Sequence, residues 1–217
     1  MKVTKEKRVN HTEQELEKLI FGKKKEIEDL GFYFTPKFLK PEEVKKREFT
    51  SCTPGLSWKR RKDELDLNRK KASLNLVQGG ELPEKLSLGQ NAWFRLKFII
   101  PEEFSKDKTY LRFSVQAKTD PNTSSIEETP SVEAQCYQDG RAVAGFDHGH
   151  DLLRLSSLPI TGREYDNILI ETGTTLLWGG LDVKEFVLES SELVEIREEV
   201  KTLYFEYKNF NELRKRL

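Results

Sequence analysis

The 217-residue sequence is poor in the residues that announce a function. It has three histidines, two cysteines and one methionine. Two cysteines, Cys52 and Cys136, build no disulfide framework and have no metal-ligand spacing, so they read as reduced thiols of a cytoplasmic protein. No apolar run approaches the length of a membrane span, and membrane association is not expected. The N-terminus is charged without a following apolar stretch, so no secretory signal is expected. Asn10 and Asn122 match the glycosylation acceptor pattern, which means little without export. The nucleophile elbow, the HExxH zinc motif, the phosphate-binding P-loop and the dinucleotide fingerprint are all missing. No solenoid-length repeat occurs.

What is present is a polar-surfaced globular chain, with 36% hydrophobic and 34% charged residues. Abundant Lys and Glu with little Met would suit a thermophile. Formal net charge is zero, which argues against a general nucleic-acid binder. The charge is uneven, however: Met1 to Lys71 carries 20 Lys and Arg against 13 Asp and Glu. Such a balance suits a solvated helical face. Its rival is a surface for RNA or an acidic protein, betrayed by salt-sensitive binding.

Thr12 and Glu15 form a capping box ahead of Leu16, Leu19, Ile20, Ile27 and Leu30, which predicts an amphipathic helix stopped by Gly31. Residues 32–71, broken by Pro36, Pro41 and Pro54, predict irregular structure with a short helix near Pro41. From Ala72 the period becomes two. NAWFRLKFII alternates through Phe94, Leu96, Phe98 and Ile100, TYLRFSVQA through Leu111, Phe113, Val115 and Ala117, and SVEAQCYQ through Val132, Ala134 and Cys136. Residues 118–130 read as a polar loop. Asp139-Gly140 is a two-residue hairpin turn with RAVAGF returning beyond it. LLRLSSL, NILIETG and KEFVLESSELVEI are further strands. From Glu198, Val200, Leu203, Tyr204, Tyr207, Phe210, Leu213 and Leu217 recur at helical spacing, with Arg214, Lys215 and Arg216 as favourable C-terminal charges.

The expected architecture is therefore mainly β. An N-terminal helix and charged irregular arm span residues 1–71, an antiparallel β-sandwich or jelly roll spans 72–197, and a connector helix spans 198–217.

The segment AGFDHGHDLLRL is the one candidate for chemistry. His148 and His150 would share a face of an extended chain, the geometry by which two imidazoles chelate a metal. Zinc needs three or four protein ligands, and in a regular strand Asp147 and Asp151 would lie on the face opposite the histidines. A turn at the mouth of a strand, with Asp and His binding free amides, answers the same pattern more simply. Trp58, Trp93 and Trp178 suit sugar stacking or, more commonly, a core or domain interface.

GQNAWFRLKFIIPEEF resembles the opening strands of the galactose-binding-like sandwich found in many glycosidases. The succession EAQCYQDGRAVAGFDHGHDLLRL, YDNILIETGTTLLWGG and VLESSELVEIREEVKTLYFEY resembles the N-terminal domain of the cytosolic and vacuolar branch of family 38 glycoside hydrolases, the zinc-dependent α-mannosidases. Asp139, Gly140, Gly145, Asp147 and His150 match one element, and Ile168, Ile170 and Glu171 the next. Trp178 and Gly179 match a Trp-Gly step, and Leu203 and Tyr204 the closing helix. The resemblance covers most of the chain and is strongest from Gly89 to Tyr207. It implies a non-catalytic accessory domain at the front of a catalytic barrel. In that family zinc is held by the barrel, with a His-x-Asp element that does not occur here. No catalytic, cofactor or metal residue carries over, so a strand mouth is expected rather than an active centre. An independent carbohydrate-binding module is the alternative; it requires an exposed aromatic, Trp58 or Trp178, beside a polar cleft near Asp147 and His150.

Overall fold

The computed structural model describes residues 12–13, 15–16, 18–35, 39–59, 91–119, 132–147, 150–160, 162–173 and 183–216. They form two antiparallel sheets packed face to face, with a C-terminal helix, Glu198–Arg216, on the outside. The strands are β1 (Phe21–Glu26), β2 (Asp29–Thr35), β3 (Thr50–Ser51), β4 (Ser57–Lys59), β5 (Asn91–Ile99), β6 (Thr109–Thr119), β7 (Ala134–Gln138), β8 (Arg141–Phe146), β9 (Leu152–Arg154), β10 (Glu164–Gly173) and β11 (Val183–Ile196). One sheet runs β3-β2-β5-β10-β7-β8. The other runs β1-β11-β6-β9, with β4 also paired to β11.

Alternation builds the interior. Phe94, Leu96 and Phe98 of β5, Leu111, Phe113 and Val115 of β6, Ile168 and Ile170 of β10, and Phe186, Leu188 and Leu193 of β11 meet between the sheets. Asp139 and Gly140 join β7 to β8 with φ of +50° and +79°, the left-handed pair that the hairpin's twist requires. Two smaller apolar clusters lie on the outer faces. On the six-stranded sheet, Trp93 and Leu169 are covered by Leu39 and Val44. Val44 belongs to the short helix Pro41–Val44. On the five-stranded sheet, Val194 and Ile196 are covered by Ile20 and Tyr204, with Leu16 and Val200 beside them.

The N-terminal third departs from expectation. Helix occupies the described positions within residues 12–20 and then gives way to β1. Ile27 and Leu30 belong to a strand pair, not to a longer helix. Gly22 and the β-forming run Phe32-Tyr33-Phe34 weaken the helical option, and two open sheet edges supply partners. β1 takes the edge beside residues 192–196 of β11, and β2 lies along β5 with Leu30 opposite Leu96. Gly31 is a strand residue rather than a helix stop: a Cβ there would lie 2.7 Å from that of Phe49, which crosses the strand. β4 extends the sheet along residues 185–187 of β11. Residues 21–59 are thus part of the sandwich rather than an arm beside it.

Lys23, Lys24 and Lys25 of β1 are exposed along that edge, the charged treatment that discourages edge-to-edge pairing. Sheet closure brings Ile20 and Arg197 together, the Arg197 amide donating to the Ile20 carbonyl at 2.8 Å. No helix among the described residues is long and apolar enough to cross a membrane.

Candidate functional site

β8 ends at Phe146, where the chain turns sharply instead of continuing extended. The Asp147 amide donates to the His150 carbonyl and the His150 amide to the Asp147 carbonyl, both at 3.2 Å. The His150 ring closes the turn from outside, its Nδ1 lying 2.9 and 3.0 Å from the two Asp147 carboxylate oxygens. Its side chain is 80% exposed. Asp147 and His150 therefore face each other, which the alternation of a regular strand would forbid. His148 and Gly149 lie outside the described residues. Among the described residues no group of three or more His, Cys, Asp and Glu is arranged to hold a metal ion.

The next residue fastens this mouth to the five-stranded sheet. The Asp151 carbonyl accepts from the Phe113 amide at 2.9 Å. Its carboxylate accepts from Arg112 Nε at 2.7 Å, while Arg112 Nη1 donates to Glu192 at 3.2 Å. The guanidinium also lies 5.0 Å above the Phe21 ring. Further along the same face, Glu189 accepts from Ser114 at 3.0 Å and Gln116 at 2.7 Å. These carboxylates already have protein donors. They form a fastened polar face rather than an acid–base pair poised for work.

Trp58 belongs to the interior. It is 9% exposed, stacks on Phe186 at 5.7 Å, and lies within 5.6 Å of the Phe32 and Phe94 rings. Its Nε1–H is buried without a hydrogen-bond partner. The exposed platform asked of Trp58 by the carbohydrate-binding alternative is therefore not there. Trp178 lies outside the described residues. Trp93, which points away from the sandwich interior, is fully buried beneath Leu39 and Val44 and approaches Tyr137 at 5.7 Å.

Sequence reasoning did not find the pair beside Trp93, in which the Tyr137 hydroxyl donates to Glu171 at 3.0 Å. Burial, then the charge and hydrogen bond of Glu171, push the Tyr137 phenol up to about 12. The signal available was Glu171 itself, a carboxylate on the same outward register as the buried Leu169, directly after the apolar run Ile168-Leu169-Ile170. Cys52 and Cys136 are free thiols. Burial pushes them up to about 11 and about 12, which removes the thiolate a nucleophile needs at neutral pH.

Comparison of the sequence with protein-family models and with curated proteins gives no match.

Proposed function

We propose that this chain is a non-catalytic accessory β-sandwich of an α-mannosidase-like glycoside hydrolase, packing against or framing a catalytic barrel that lies outside this sequence. The observation that carries the reading is Trp58 in the core. An aromatic that a sugar-binding module would present to solvent instead joins Phe32, Phe94 and Phe186 between the sheets. The segments on which the resemblance rests support it further: they coincide in order with β5, the β7–β8 hairpin, β10, β11 and the C-terminal helix. A galactose-binding-like jelly roll is the finer form of the fold in this reading.

The role is carbohydrate metabolism in the cytoplasm at one remove. The chain supplies surface and shape, and the barrel supplies zinc and the carboxylates that hydrolyse the mannoside. Asp147, His150 and the Arg112 network would hold the strand mouth in shape, with Trp178 as a candidate interface residue.

The test is to mix the 217-residue chain with a separately produced family 38 barrel and to screen the chain alone on a glycan array. A stoichiometric complex and a blank array support the accessory role. Saturable glycan binding with no affinity for the barrel would replace it with a carbohydrate-binding module. Binding only to RNA or an acidic protein, lost steeply with salt, would favour an interaction subunit.

A further inference from the structure

We draw no further inference here: the strongest candidate, the exposed apolar patch of Leu203, Phe210 and Leu213 on the outer face of the C-terminal helix, carries nothing because nothing in the structure shows what covers it.

Discussion

Trp58 holds an indole between the two sheets with no acceptor for its Nε1–H. An unpaired buried donor costs about 1–3 kcal/mol, so the ring must be kept for its volume and stacking. Trp58→Phe removes the orphan donor along with part of the ring. We expect it to stay within about 1.5 kcal/mol of wild type in urea denaturation. Trp58→Ala leaves a cavity and should lose about 3–5 kcal/mol. A ligand-platform tryptophan would tolerate both changes in stability and lose binding instead. Cys136 makes a pH prediction of the same kind. Its thiol rises from an ordinary value of 9.0 to about 12 through burial. The folded state therefore holds that proton more tightly than the unfolded state does. The resulting stability is present in full below about pH 9 and is lost as pH rises toward about 12. Cys136→Ala should flatten the alkaline limb of a stability–pH curve, and iodoacetamide should label native Cys136 far more slowly than the unfolded chain.

Among the elements, the β7–β8 hairpin rests on its turn. Gly140 sits at φ +79°, and a Cβ there would meet the Glu42 carboxylate reaching over from the short helix. Lys45 pairs with Asp139 at 3.7 Å on the same side. Gly140→Ala should cost about 1–2 kcal/mol from the backbone alone, read as a lower urea midpoint with an unchanged slope. This turn was legible because Asp-Gly between two alternating runs has few other uses. LLRLSSL, read as one strand, is the short β9 followed by a 3-10 turn over Leu155–Ser157, whereas β5, β6 and β7 were legible because alternation places half of each strand inside. β1 and β2 were not, because Ile20, Ile27 and Leu30 satisfy helical spacing equally well and only the open edges of β11 and β5 decide between them. β3 and β4 are two and three residues long, too short to carry a period. At the candidate site, Asp147 and His150 stood out by composition, yet their reciprocal turn bonds depend on where β8 stops. Arg112, Asp151 and Glu192 meet only across the completed sheet, so no local pattern could have joined them.

For the whole molecule, the decisive feature is how far apart in the chain the paired strands lie. β1 and β4 share one side of β11, and β6 takes the other. Every one of these contacts closes a long loop before it returns any energy. Refolding from urea should therefore fall in the millisecond-to-second range typical of non-local β folds, monitored by stopped-flow fluorescence of the buried Trp58 and Trp93. Complete recovery in microseconds would mean that the sheet order is wrong. The same feature has a consequence on the ribosome. Among the described strands β1 is made first and β11 last, with Phe21 opposite Ile196. During translation this edge strand therefore waits, unpaired, for a partner that emerges only after β2 to β10 have been made. Its three lysines then guard an incomplete protein before they guard a finished one, and neutralising them should harm the yield from synthesis more than the stability of the folded product.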